Sequence, residues 1–194
     1  LYNLIRNLFN KFYFLLFGSQ KSKWNFNFIG SYKMLNGRFE VDETNFFREK
    51  IKDFDLFINI GANIGYYVCH AAESNIDTIS FEPLSSNILY LNQNISQFNS
   101  SQHLVYPLAL SDKRGLSMIY GENMMASLIS NWNNGKENTF VSLMHFDDFY
   151  KIHYSNLKIF ILIDAEGSEY KLLKKSIEFL NNRFILSWNL SGLT

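Results

Sequence analysis

Three carboxylates, Asp164, Glu166 and Glu169, fall within the stretch "LIDAEGSEYKLLK", directly after the apolar run "IFILI". Asp164 stands where that run would end as a strand, and reacting groups in open parallel sheets sit beyond the carboxyl ends of the strands. Glu166 and Glu169 are three apart and share one face of a helical turn beginning there. Acidic residues at a helix start are common, because they complement the helix dipole. Three of them after such a strand exceed what capping needs. Asp164 or Glu166 is therefore the first candidate for a general base, and His145, just before "FDDF", is the second. His70, His103 and His153 read as surface or satisfied structural residues.

The stretch "FINIGANIGYYV", 57–68, carries a different chemistry. Gly61 and Gly65 let the chain turn tightly after a buried strand and bring backbone close to a ligand. A loop so placed offers N–H groups and the positive end of the next helix. Its spacing is G-x-x-x-G, not the G-x-G-x-x-G of dinucleotide enzymes. In "FEP", Glu82 ends a second strand 21 positions after Gly61, and Pro83 stops that strand. A carboxylate there can accept hydrogen bonds from the two hydroxyls of a ribose. Each piece alone reads as a tight turn or an exposed strand-end glutamate. Together they favour a bound nucleoside.

The elements that must position these groups alternate. Strands are expected at 55–60, 78–81, 104–108, 159–163 and 184–188, and helices at 64–74, 85–98 and 170–180. The order implies βαβ units and a parallel sheet. Within 109–157, "ALSDKRGLSMIYG" has the turn chemistry of a hairpin or extended arm. The polar 131–140 reads as a loop, and "HFDDFYKI" as a short helix with an acidic start.

Composition bounds the function. The 194 residues are 47% hydrophobic and 19% charged, which fits one folded α/β domain rather than disorder. Eighteen basic and eighteen acidic residues cancel, so no overall basicity draws the chain to nucleic acid. Residues 1–39 nevertheless carry six basic and no acidic residues, interleaved with aromatics. Leu1, Leu4, Ile5, Leu8, Phe12, Leu15 and Leu16 follow helical spacing, too short and too interrupted by Arg6 and Lys11 for a membrane span. Packing of residues 1–24 on the domain is favoured over contact with a membrane surface. No small-residue cleavage site closes the apolar stretch, so no signal peptide is expected. A single cysteine, Cys69, reads as buried packing and fits a reducing, cytoplasmic compartment. No His/Cys cluster has metal-ligand spacing, so no metal site is expected. The chain starts at Leu1 rather than Met and stops soon after an apolar run. A piece of a longer protein, truncated at the C-terminal end of its fold, is the expectation.

In order along the chain, "FINIGANIGYY", "SFEP", "NILYLNQNI", "ALSDKRG", "ASLI", "FDDF" and "LIDAEGSEYKLLK" resemble the FkbM-type methyltransferases. The resemblance covers about residues 55–189. It implies a Rossmann-like, mostly parallel sheet with helices on both faces, of the class I methyltransferase type, and S-adenosyl-L-methionine as cofactor. A basic aromatic arm, helical in part, is expected at 1–45, ahead of the methyltransferase domain at 46–194. By the same resemblance, Asn59, Gly61, Ala62, Asn63 and Gly65 line the methionine and ribose side of the cofactor. Glu82, followed by Pro83, holds the ribose hydroxyls, and Ser111 and Asp112 lie near the adenine. Asp164, Glu166, Gly167 and Glu169 match the acidic signature beside the reacting centre. Asn59 stands where the family usually has Asp, and Trp188 or Asn189 where it tends to place an acidic residue in the last strand. The implied reaction is O-methylation of a hydroxyl on a sugar, glycan or other small metabolite. A nicotinamide-dependent oxidoreductase and a catalytically degenerate binding module are the alternatives.

Overall fold

The apolar run Ile159–Ile163 and the strand Leu56–Ile60 lie side by side, every residue of both buried. This is the pattern of parallel strands covered on both faces. A computed structural model of the chain describes residues 18–120, 138–145, 148–149, 157–165 and 186–187. In chain order its elements begin with β1 (Gln20–Lys21), β2 (Asn27–Phe28), α1 (Tyr32–Leu35) and α2 (Val41–Lys50), followed by a single 3-10 turn. Then come β3 (Leu56–Ile60), α3 (Tyr66–Glu73), β4 (Asp77–Phe81), α4 (Ser85–Ile95) and β5 (His103–Tyr106). The last are β6 (Ala109–Ser111), β7 (Gly115–Tyr120), β8 (Asn138–His145), β9 (Ile159–Ile163) and β10 (Leu186–Ser187).

The main sheet is parallel throughout, in the order β10-β9-β3-β4-β5. From β3 the chain steps outward to β4 and β5, then returns to the other side of β3 as β9. Strand order therefore reverses between β3 and β9, and the crevice beyond their carboxyl ends is where such sheets bind ligands. This is a Rossmann-like sheet. Alternation along β3 sends Phe57 to one face and Leu56, Ile58 and Ile60 to the other. The first face packs on α2, α3 and α4 through Phe47, Val68, Cys69 and Leu91. The second is covered, among the described residues, by Leu110 and Phe149 and by Met144 of a small second sheet.

That small sheet departs from the sequence expectation. Ala109–Ser111 and Gly115–Tyr120 do not form a hairpin with each other; β8 lies between them, parallel to β6 and antiparallel to β7. Residues 138–140 are strand rather than loop, and His145 ends that strand rather than opening a helix. The β6–β8 pairing joins Ala109 to Leu143, far apart in the chain, which local turn chemistry cannot announce. The expected helix at 170–180, the acidic positions Glu166, Gly167 and Glu169, and residues 1–17 lie outside the described residues. Among the described residues, no helix is long and apolar enough to cross a membrane.

The segment before β3 is built into the core. Phe26 and Phe28 are buried, and each meets a ring of α3 edge-on, Phe26 at His70 and Phe28 at Tyr66. Asn94 of α4 both accepts from the Ile29 N–H (2.7 Å) and donates to the Ile29 carbonyl (3.1 Å). Helix α2 spans position 45, with Asp42 and Glu43 in its first turn and Arg48 and Lys50 in its last, as the helix dipole favours. Its Phe47 is fully buried among the rings of Phe57, Tyr67 and Phe160. Phe47→Ala is expected to cost about 3–5 kcal/mol, the usual loss for a fully buried phenylalanine. The check is the urea midpoint of the variant against the parent, with unchanged slope.

His70 of α3 is fully buried, and its Nδ1 lies 2.7 Å from an Arg48 nitrogen. Arginine only donates, so Nδ1 accepts and the proton sits on Nε2. Burial first, and the Arg48 charge second, push His70 down to about 3. The unfolded chain binds a proton near pH 6.5 that the folded chain refuses until near pH 3. Stability should therefore fall as pH drops from about 6.5, by up to about 1.4 kcal/mol per pH unit. His70→Gln, which keeps an acceptor for Arg48, should remove that share of the slope. Melting temperatures of both proteins between pH 7.5 and 4.5 give the difference.

Candidate active site

The glycine loop is held down from several sides. The Gly61 and Ala62 N–H groups both donate to the Phe81 carbonyl at the end of β4, at 2.9 and 3.0 Å. Asn63 N–H donates to Glu82 Oε2 (2.8 Å), Ile64 N–H to the Asn63 side-chain oxygen (2.8 Å), and Gly65 N–H to the Ala62 carbonyl (2.9 Å). The loop N–H groups at 61–65, expected from sequence to face a ligand, are thus all engaged within the protein. What the loop presents to the crevice is its outer surface and the side chains beside it.

Glu82 is the loop's anchor. Its other oxygen, Oε1, accepts from the Leu84 N–H (3.0 Å) and from Asn87 Nδ2 (3.1 Å), and the residue is buried. Burial pushes its carboxyl above the usual range, while the donors of Leu84, Asn63 and Asn87 pull the other way. Three donors leave about one of the carboxylate's four acceptor positions unused. Pro83 beside it is half-buried and the helix α4 follows at Ser85. Asn94, which sequence reasoning passed over, donates to the Ile64 carbonyl (2.8 Å) as well as to Ile29, and so ties the loop to the N-terminal segment. Nothing in its spacing distinguishes it from the many other asparagines of the chain.

A cleft opens where β3 and β9 end. Its floor is Asn59, the loop from Gly61 to Ile64, and Leu162 and Asp164 of the neighbouring strand. Its wall comes from Met34, Phe39 and Glu40 ahead of α2 and from Tyr66 and Tyr67 of α3. The cleft is shallow: about 50 Å³ of it is cavity, within about 400 Å³ of empty space that includes the open mouth. Asn59 is 3% exposed, and its Oδ1 is buried with no hydrogen-bond partner among the described residues. A buried acceptor left unmatched is costly unless a ligand or water supplies the donor. Asp164 is half-buried, and its N–H continues the ladder to the Ile60 carbonyl at 2.9 Å. Glu40 accepts from the Tyr67 hydroxyl at 2.6 Å. Burial raises the Glu40 carboxyl, against the pull of the Tyr67 hydrogen bond. Burial, reinforced by that bond, raises Tyr67 far above its usual value.

The structure thus brings together Asn59, Gly61, Ala62, Asn63 and Asp164 on one cleft, with Glu82 and Gly65 behind the loop. Ser111, Asp112 and His145 lie elsewhere. Ser111 ends β6, pairs in register with His145 of β8, and donates to Asp112 at 3.2 Å; none of the three lines the cleft. Glu40, Phe39 and Tyr67 were missed by sequence reasoning. The signal was weak: "RFEVDE" reads as an ordinary acidic helix start. Among the described residues, no group of three His, Cys, Asp or Glu could hold a metal ion.

Comparison with known proteins gives one family. The description "Methyltransferase FkbM domain" matches residues 59–188. No curated protein matches the chain. Among solved structures, the chain is similar to the S-adenosylhomocysteine-bound methyltransferase PaMTH1 of Podospora anserina, at 11% identity and a TM-score of 0.45, over 75% of this chain and 51% of that one. A second is a SAM-dependent methyltransferase of Agrobacterium tumefaciens, at 10% identity and a TM-score of 0.31, over 41% and 26%. The chain spans about half the length of the first.

Two glycines hold the cleft in shape, with unequal tolerance. Gly61 has φ +81°, and a Cβ there would overlap the Asp164 carbonyl, which is backbone. Gly65 has φ +86°, but its Cβ would meet the end of the Leu91 side chain, which can turn aside. Gly61→Ala is expected to lose about 2 kcal/mol or more, from strained backbone plus overlap, and Gly65→Ala distinctly less. Thermal melts of the two variants check the order.

Proposed function

Because the chain belongs to the FkbM methyltransferase family, S-adenosylmethionine is its cofactor, and we propose that it transfers the methyl group to a hydroxyl of a sugar or other small metabolite. One observation supports the reading most. The orphaned Asn59 oxygen and the Asp164 side chain sit on adjoining strands, on one cleft, at the point where strand order reverses. The residues present fit the cofactor. The cleft's polar side chains are two carboxylates, two asparagines and two tyrosines, and among the described lining residues none is Lys, Arg or His. A sulfonium and an ammonium suit such a lining, whereas a phosphate-rich dinucleotide does not.

The bound cofactor supplies an electrophilic methyl on sulfur. The chain's part is to hold an acceptor oxygen in line with that methyl, an orientation effect worth several kcal/mol. In this reading the loop of Gly61, Ala62 and Asn63, held from behind by the buried Glu82, lies along the amino-acid half. Asp164 is the base that takes the proton of the acceptor hydroxyl as its oxygen attacks. Glu166 is the alternative base.

Calorimetry on the purified chain tests the cofactor. Saturable heat is expected with S-adenosylmethionine and with S-adenosylhomocysteine, and none with NAD; silence with the first two, or heat with NAD, overturns the proposal. Transfer of labelled methyl to a panel of sugars and small alcohols then tests the base. Asp164→Asn should lower turnover by about 10²–10⁴-fold, the usual share of general-base catalysis. Cofactor affinity should stay within a few-fold of the parent.

A further inference from the structure

Glu40 is the feature of the cleft that the proposed chemistry leaves unused. It precedes α2 with left-handed backbone (φ 40°), a conformation non-glycine residues seldom adopt. Its side chain lines the cleft opposite the glycine loop. One oxygen, Oε2, accepts from the Tyr67 hydroxyl at 2.6 Å, and Oε1 has no hydrogen-bond partner among the described residues. The phenol can only donate to a carboxylate, so the pair fixes where the second oxygen and the negative charge point.

Across the same cleft the buried Asn59 Oδ1 also lacks a partner among the described residues. Two acceptors, the buried Asn59 oxygen and the exposed, charged Glu40 oxygen, face one space from two different elements. The asparagine contributes a dipole but no charge, and the glutamate contributes the charge but stands at the mouth. A neutral hydroxyl brings one donor and no charge. A primary ammonium brings three donors and the compensating charge, so it satisfies both acceptors at once.

We propose that Glu40 and Asn59 together receive the ammonium group of the cofactor's amino-acid half, with Tyr67 as the positioning residue that orients Glu40. The assignment rests on the methyltransferase reading of the cleft and deepens it. It makes the segment ahead of α2 part of cofactor recognition, although that segment lies outside the stretch matched to the family.

The experiment uses three ligands that differ in the relevant group: S-adenosylmethionine, S-adenosylhomocysteine and 5′-methylthioadenosine, which has the nucleoside and sulfur but no amino-acid half. Calorimetry on the parent, Glu40→Gln and Tyr67→Phe reads the dissociation constants. Glu40→Gln should weaken the first two ligands about tenfold to a hundredfold, the worth of a charge-assisted hydrogen bond. It should leave 5′-methylthioadenosine within about twofold, since that ligand makes no use of the charge. Tyr67→Phe should give a smaller loss with the same ligand selectivity. Adding Asn59→Asp to Glu40→Gln returns a negative charge to the site and should recover part of the lost affinity.

The outcomes separate. A parent that binds none of the three ligands defeats the methyltransferase reading and this assignment with it. A parent that binds, with Glu40→Gln unchanged, defeats the assignment alone. A Glu40→Gln loss shared equally by 5′-methylthioadenosine, or absence of rescue by the added aspartate, also overturns it, because either outcome means that Glu40 acts through the fold rather than through its charge.

Discussion

The contact between the Gly61 backbone and the Asp164 carbonyl is the constraint on which the cleft depends. The two residues end adjacent parallel strands, and the Asp164 N–H bonds to Ile60 one position before the turn. The approach is so close that no side chain fits at 61. A strand end that must bend away while its neighbour's backbone presses on it has few solutions, and a left-handed glycine is the least strained. Everything in the cleft floor takes its position from that point. Asn59 lies just before it, Asn63 just after it, and Asp164 directly opposite.

Around this contact the protein spends its buried polar groups on holding backbone. Glu82 and Asn94 are both buried, and each bridges the loop to other elements through several hydrogen bonds. Buried side chains of this kind are costly to desolvate and become favourable only when fully satisfied. Glu82 makes three such bonds and Asn94 also makes three, so each rigidifies what it joins. The contrast with Asn59 is informative. It is as buried as they are, yet its oxygen has no partner among the described residues, and it faces the cleft instead of the loop's underside. Polar satisfaction thus separates Glu82 and Asn94, which build the site, from Asn59, whose oxygen is left open toward the cleft.

The parts legible in the sequence were those with short-range signatures. The apolar runs at 56–60 and 159–163, the glycine pair, and the strand-ending Glu82 follow from local rules of burial and turn geometry. The matching family signatures extend over the same stretch, so Asn59 and Gly61 could be named in advance as cofactor-side residues and Asp164 as a residue beside the reacting centre. Strand β8 could not. Its alternation is blurred, with Thr139, Phe140 and Ser142 exposed, Val141 buried and Leu143, Met144 and His145 intermediate, and its partners are chosen by long-range pairing. Helix α2 carried dipole-matched charges, but its apolar residues are the exposed Val41 and two adjacent phenylalanines, of which only Phe47 enters the core. A periodicity of one residue is no periodicity. Its burial comes from the rings of Phe57, Tyr67 and Phe160, which are distant in sequence.

The Glu40–Tyr67 bond was hidden for a related reason, since it joins residues from two elements that meet only in the folded chain. Under the proposed assignment it also sets how charge is distributed across the cleft. A carboxylate at the end of a central strand is buried deep, where an uncompensated charge is expensive before the ligand arrives. Asparagine at that position keeps the acceptor and avoids the standing charge. A glutamate at the mouth, close to water and held by a phenol, carries the charge at much lower desolvation cost. Moving the charge outward trades some electrostatic strength for a cleft floor that is stable when empty. With Gly61 pressed on Asp164 and the loop N–H groups all engaged, a rigid floor is what this turn is built to supply.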